Sequence, residues 1–410
     1  MTNDATSTIA STDLKPAPMD VRPAPLRATV ARAIFERWTR RLPIRVTTAD
    51  GSTWGLGGAA SPELYIARPT ELYRRIGRDS NIGFGEAFQS GTWTSPDPAA
   101  LLTVFAGHLT GQVHPRLQAL RMWAQRIKGH LEPNTQEVAK RNIESHYDLS
   151  NDMFATFLDS TMTYSSAWFD GDQRDLETAQ LRKIDGILDY AGVTAGTSVL
   201  EIGTGWGALA IRAAQRGAWV TSLTLSSEQK NLAEQRIREA GLADRVTVLL
   251  QDYRDAKGSY DAVVSVEMIE AVGEEYWPEY FATIDRLVKP DGRAALQAIT
   301  MPHERMLVSR RAYTWINKYI FPGGLIPSVT AIKECLGDHT GLRLAQSRSL
   351  GPDYAETLSQ WRHRFLVNWP NVERLGFDET FRRTWEYYLA YCEAGFRTGY
   401  IDVLQLQLTR

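Results

Sequence analysis

The chain has 410 residues, enough for two or three domains, and its 43% hydrophobic and 23% charged residues are the balance of an ordinary folded protein. A net charge of −2 argues against a bulk nucleic-acid binder, and no run of about 18 apolar residues is present to cross a membrane. The two cysteines, Cys335 and Cys392, lie in no CxxC or Cys/His cluster, which argues against a disulfide framework or a metal site and fits a reducing cytoplasm.

Residues 1–24 are rich in Thr, Ser, Ala, Pro and Asp without periodicity and read as a disordered tail, with no pattern of a secretory signal. A helix is expected next, with Val30, Ile34, Trp38 and Leu42 on one face. Strand-like runs follow at 44–48 and 63–67, and Asn81–Trp93 (NIGFGEAFQSGTW) reads as strands joined by tight glycine turns. Together 25–112 make a small N-terminal α+β domain. Residues 113–142 carry a basic amphipathic helix: Leu117, Leu120, Ala124, Ile127 and Leu131 recur beside Arg116, Arg121, Arg126 and Lys128. Such a helix either lies on an anionic membrane surface or packs as a linker with a solvated basic face.

From about residue 180 the pattern becomes βαβ, which predicts a doubly wound parallel sheet within a domain spanning 143–410. Strands are expected at 199–203, 219–225, 246–250, 261–266 and 294–299, with aromatic-rich helices inserted at about 303–335 and 353–395. The strand at Val199 runs through Glu201 into Gly203, Gly205 and Gly207, then a helical pattern. A strand, glycine turn and helix let a ligand touch backbone at the carboxyl edge of the sheet. The ExGxGxG spacing is that of S-adenosylmethionine (SAM) methyltransferases and differs from the dinucleotide GxGxxG pattern. The next strand ends carry Thr224, Ser226 and Gln229, then Gln251, Asp252 and Tyr253, then Glu267 and Glu270, all lining one crevice. Glu201 would serve the SAM amino group. Thr224 and Gln229 stand where many such enzymes place an acidic ribose ligand. Gln251 or Asp252 would serve the adenine, with Tyr253 either stacking on it or lying in the core.

These segments resemble the cyclopropane fatty acid synthase family, which includes mycolic-acid cyclopropane synthases and fatty-acid methyltransferases of the tuberculostearic type. The resemblance rests on ESHYDLSNDMFATFLDSTMTYSSAWF (144–169), the glycine loop, LTLSSEQ (223–229), SVEMIEAVGEEYW (265–277), LQAIT (296–300), KYIFPGGLIPS (318–328) and LGPDYAETL (350–358). It implies a soluble SAM-dependent enzyme acting on the double bond of an unsaturated acyl chain in membrane phospholipid. The expected setting is cytoplasmic and peripheral at the inner face of the membrane, without nucleic acid; relatives are often homodimers. Tyr164 and Ser165 match SAM-contacting positions, and His146 reads as a pin for the helix over SAM or a catalytic group.

The resemblance further implies a substrate carbocation and a bicarbonate ion as base, held by Glu270, the Ile299 carbonyl and Tyr354. Two positions depart from the family pattern: Ser166 stands for the usual Cys, and Gln297 for the usual His. An amide in place of an imidazole alters proton handling, which favours a methylene or methyl-branched product, the latter needing a separate reductase. Cyclopropane formation is the alternative, and a non-catalytic SAM- or lipid-binding protein is the reading from another class. Tyr313, Trp315, Tyr319, Phe321 and Trp361 join Tyr164 as candidates to stabilise the cation through their ring faces.

Overall fold

Apolar residues at Val199, Leu200 and Ile202 have almost no exposed surface, and they make Ser198–Ile202 (β5) an inner strand of a seven-stranded sheet. The computed structural model describes residues 25–112, 150–171, 174–310 and 312–410. The tail 1–24, the basic helix read at 114–141, and His146 lie outside the described residues.

The described residues divide into two units. The first contains 25–112, 314–320 and 362–394. Its small sheet has the order β2-β1-β3-β4, formed by Arg45–Thr48 (β1), Thr53–Trp54 (β2), Glu63–Ile66 (β3) and Trp93–Thr94 (β4). Two expectations are corrected here. Asn81–Gln89 is a helix, not strands and turns. Its glycines serve close packing: a Cβ at Gly83 would stand 2.0 Å from the Arg75 carbonyl oxygen, and one at Gly85 would stand 2.5 Å from the Trp315 ring. In the helix Pro25–Thr39 the face turned inward is Ala31, Phe35 and Thr39, while Val30 and Ile34 are exposed.

The division also departs from an uninterrupted domain at 143–410, because 314–320 and 362–394 fold with the N-terminal residues. Glu86 explains part of this. Its buried carboxylate accepts from Lys318 at 2.6 Å, the Tyr319 hydroxyl at 2.9 Å, Arg78 at 2.6 Å and Arg75 at 3.4 Å. Phe88, Trp93, Trp315 and Tyr387 pack as one ring cluster beside it.

The second unit holds 150–313, 321–361 and 395–410 among the described residues. Its sheet order is β10-β11-β9-β8-β5-β6-β7. Trp219–Thr224 (β6), Val246–Leu250 (β7), Tyr260–Val266 (β8) and Val288–Thr300 (β9) join β5 in parallel. Arg343–Ser349 (β10) and Asp402–Thr409 (β11) add an antiparallel edge that was not expected. Helices cover both faces. Leu176–Tyr190, Ala208–Gln215 and Ser227–Glu239 contribute to one apolar cluster, and Trp277–Leu287 and Val329–His339 to the other. Strands buried on both sides explain the nearly continuous apolar runs in β5 and β8.

Candidate functional site

The glycine loop follows β5 at the carboxyl edge of the parallel strands. Gly203, Gly205 and Gly207 have φ of +98°, +51° and +86°, a region that favours glycine. A Cβ on Gly205 would meet no atom within 4 Å, so the loop leaves room for a ligand against bare backbone. Glu201 is buried below it and accepts from the Ser222 hydroxyl, which also pairs with Thr204 at 2.6 Å. Burial pushes the Glu201 carboxyl up to about 8, against the Ser222 bond and the Lys183 charge. On β6 and the turn after it, Thr224 donates to Gln229 Oε1 at 3.0 Å, and both are buried. After β7, Gln251 donates its N–H to the Thr224 carbonyl at 3.0 Å. Asp252 is engaged by Arg254 through bonds of 2.9 and 2.7 Å, and Tyr253 packs edge-on against Tyr280 at 5.4 Å. Open backbone at Gly205 and polar ends on three adjacent strands fit SAM. When bound, it supplies an electrophilic methyl group.

Next to this cradle, β8 ends and Glu267 takes φ +50°, a conformation costing a non-glycine residue about 1 kcal/mol. That backbone carries its carboxylate into a cluster of donors. Oε1 accepts from the Ser166 N–H at 3.0 Å and Gln297 Nε2 at 2.8 Å, and Oε2 accepts from the Tyr354 hydroxyl at 2.7 Å. Three of the expected pocket residues therefore converge, but on Glu267 and not on Glu270. Burial raises the Glu267 carboxyl above its ordinary range, while these three bonds and the Lys183 charge oppose the rise.

Glu270 is also buried. Its Oε1 accepts from the Ile299 N–H, and its Oε2 has no hydrogen-bond partner. Burial first, and the Glu267 charge second, push it up to about 8. The turn after Phe321 rests on this residue, because Leu325 donates to the Glu270 carbonyl at 2.9 Å.

The residues expected to hold bicarbonate do not fit that ion. The Ser166 N–H, Gln297 and Tyr354 already serve the chain's own carboxylate, and a second anion would lie against Glu267 and Glu270. Ser166 also turns its hydroxyl to the Ala167 carbonyl at 2.9 Å, and Ile299 contributes its N–H to Glu270. Sequence reasoning placed Glu267 at the crevice without a role. Its only signal was a second glutamate three positions before Glu270.

Tyr164 stacks on Trp361 with centroids 5.2 Å apart, and Tyr354 meets Trp361 edge-on at 6.2 Å. These rings form an aromatic wall from residues expected near the reacting carbons. Trp315 and Tyr319 belong to the other unit. Ser165 is buried and accepts from Lys183 Nζ at 2.6 Å. Lys183 is itself buried, and loss of water lowers it to about 8 although Glu267, Asp159 and Glu201 favour its charge.

Comparisons with known proteins agree with this geometry. The family described as mycolic acid cyclopropane synthetase matches residues 134–406. Over the whole chain and 98% of the relative, the protein is 50% identical to the tuberculostearic acid methyltransferase UfaA1 of Mycobacterium tuberculosis. It is 35% identical to the cyclopropane-fatty-acyl-phospholipid synthase of Escherichia coli, over 87% of this chain and 90% of that one. Among solved structures, the cyclopropane synthase MmaA2 from Mycobacterium tuberculosis superposes with a TM-score of 0.62 at 33% identity, covering 66% of this chain and 98% of the other. The mycolic acid cyclopropane synthase CmaA1 complexed with SAH and CTAB gives 0.61 at 34% identity, with the same coverage. The chain belongs to the mycolic acid cyclopropane synthetase family of SAM-dependent methyltransferases.

Proposed function

We propose that this enzyme methylates the double bond of an unsaturated acyl chain in a phospholipid, and that Glu267 then removes a proton to leave a methylene branch. The carrying observation is the Glu267 carboxylate, held by Ser166, Gln297 and Tyr354 where the family resemblance implies a bound anion. The names of the relatives, a tuberculostearic acid methyltransferase and a fatty-acyl-phospholipid synthase, support an acyl substrate.

The alkene π pair forms a carbon–carbon bond to the donated methyl as the methyl–sulfur bond breaks and leaves its pair on sulfur, and the positive charge falls on the neighbouring carbon. A hydride shift from the methylated carbon moves the charge there. Loss of a proton from the new methyl then gives a carbon–carbon double bond to CH2. Glu267 Oε2 accepts that proton; three donors and the Lys183 charge favour its ionised form against the burial that raises it. Its charge also stabilises the cation through a medium of low polarity. Tyr164 and Trp361 offer ring faces to the cation and exclude water that would trap it. A reductase acting on the methylene product would complete a methyl branch. Because the substrate resides in a bilayer, the enzyme works peripherally at a membrane surface; no helix among the described residues is long and apolar enough to cross one.

The test is incubation of purified enzyme with SAM and dioleoyl phospholipid vesicles, followed by hydrolysis, mass spectrometry and proton NMR of the acyl chains. Vinylidene protons on a chain heavier by one CH2 are expected. No mass gain would overturn the activity, and upfield ring-methylene protons would overturn the branched product in favour of cyclopropane formation.

A further inference from the structure

We infer that Gln405, backed by Arg348, is a positioning residue that locks the Gln297 amide with its N–H on Glu267. The inference rests on Glu267 being the proton acceptor. Gln405 lies on β11, 0% exposed, and Gln297 beside it on β9 is 1% exposed. Arg348 Nη1 donates to Gln405 Oε1 at 3.4 Å. Gln405 Nε2 donates to Gln297 Oε1 at 3.1 Å and to the Lys183 carbonyl at 3.0 Å. Gln297 Nε2 donates to Glu267 Oε1 at 2.8 Å.

Each link fixes the direction of the next. A guanidinium only donates and a backbone carbonyl only accepts, so Arg348 and the Lys183 carbonyl together leave Gln405 one amide orientation. Gln405 then presents N–H to Gln297, which must turn its oxygen toward Gln405 and its own N–H toward Glu267. A lone glutamine at 297 has no such constraint. Flipped, it would set a carbonyl oxygen against the carboxylate and favour protonated Glu267.

Packing holds the far end. Arg348 lies 4.0 Å over the Trp168 ring and 5.0 Å from the Tyr190 ring. The helix Leu176–Tyr190 passes this point at Gly186, where a Cβ would stand 2.9 Å from Arg348 Nη1, 2.9 Å from Trp168 and 3.1 Å from Gln405 Oε1. The helix thus carries its one residue without a side chain where the relay runs.

The charged and titratable groups around Glu267 are Glu270 on its own loop, Lys183 from the helix behind it and Tyr354 from the helix Gly351–Val367. Asp159 and Glu201 act on Lys183 in turn. Of these, changing Gln405 touches only Lys183, through its backbone carbonyl, and Arg348 reaches the pocket through Gln405.

The test is the pH dependence of kcat on dioleoyl phospholipid vesicles for the wild type, Gln405→Met, Arg348→Met and Glu267→Gln. Gln405→Met keeps the volume and removes the relay. Its acid limb is expected to move upward by about one pH unit, with KM for SAM unchanged. Arg348→Met, altered away from the pocket, moves the limb the same way by less and covers the case in which the buried variant does not fold. Unmoved acid limbs in the folded variants, with Glu267→Gln inactive, would overturn the relay. Full turnover by Glu267→Gln would overturn the underlying assignment instead.

Discussion

Glu267 adds its charge to the burial that pushes its neighbour Glu270 up to about 8, while burial raises Glu267 itself against three hydrogen bonds and the Lys183 charge. Glu267 has three donors that oppose this rise, whereas Glu270 accepts from the Ile299 N–H at Oε1 and has an Oε2 with no partner. A pocket built this way can accept a proton without admitting a separate ion.

Replacing Glu267 separates charge from shape. Glu267→Gln should lower kcat by at least about 100-fold while leaving SAM affinity within about twofold. Glu267→Gly relieves the φ of +50° and frees the Ser166, Gln297 and Tyr354 donors. Its turnover should recover on adding bicarbonate or formate. A titration of rate against each anion checks this, and a flat response would refute the anion-position reading.

Glu270→Gln should reduce turnover by at least about tenfold with SAM binding intact. It also has a pH signature in stability. A carboxyl raised in the folded state contributes stability that is fully present below its unfolded pKa and lost as pH rises through the folded value, here about 8. The variant should therefore gain on the wild type between pH 5 and pH 9, by roughly 2 °C in Tm for each kcal/mol relieved. Calorimetry at both pH values measures the difference.

Gly205→Val should weaken SAM binding by at least about tenfold, because a branched residue resists φ > 0 and its side chain would enter the open space over the loop. Isothermal titration with SAM reads this directly. An unchanged affinity would move the cofactor elsewhere.

Glu86→Gln should destabilise the unit that contains it. Arg75, Arg78 and Lys318 would lose their common buried negative charge, and an NH2 donor would replace one of the two oxygens they share. Breaking such a pair costs about 3 kcal/mol, a fall in Tm of roughly 6–12 °C. Thermal unfolding of the full chain checks it.

The parallel core was legible because its signals are local. Val199–Ile202 is continuously apolar, and three glycines at fixed spacing allow little besides a tight turn. The antiparallel edge was not, because Gln405 and Gln407 interrupt any apolar run in DVLQLQLT, yet both are buried and satisfied by partners far away in sequence. Asn81–Gln89 misled for a related reason: Gly83 and Gly85 mark close approach by Arg75 and Trp315, a tertiary demand that looks like a turn in one dimension. In the site, Glu201 and the glycine loop followed from spacing. Glu267 did not, because its importance depends on a left-handed backbone and on three donors arriving from 166, 297 and 354.

Strand β11 lies between β10 and β9, and Thr300 of β9 pairs with Asp402. During synthesis β9 emerges long before its neighbour and waits with one edge unsatisfied while the intervening helices are made. Pairing of such high sequence separation is slow to form, and an open apolar edge invites association with other chains. Assembly of this enzyme should thus be limited by a late strand insertion, and its yield should depend on temperature and chaperone supply during expression more than on the stability of the finished sheet.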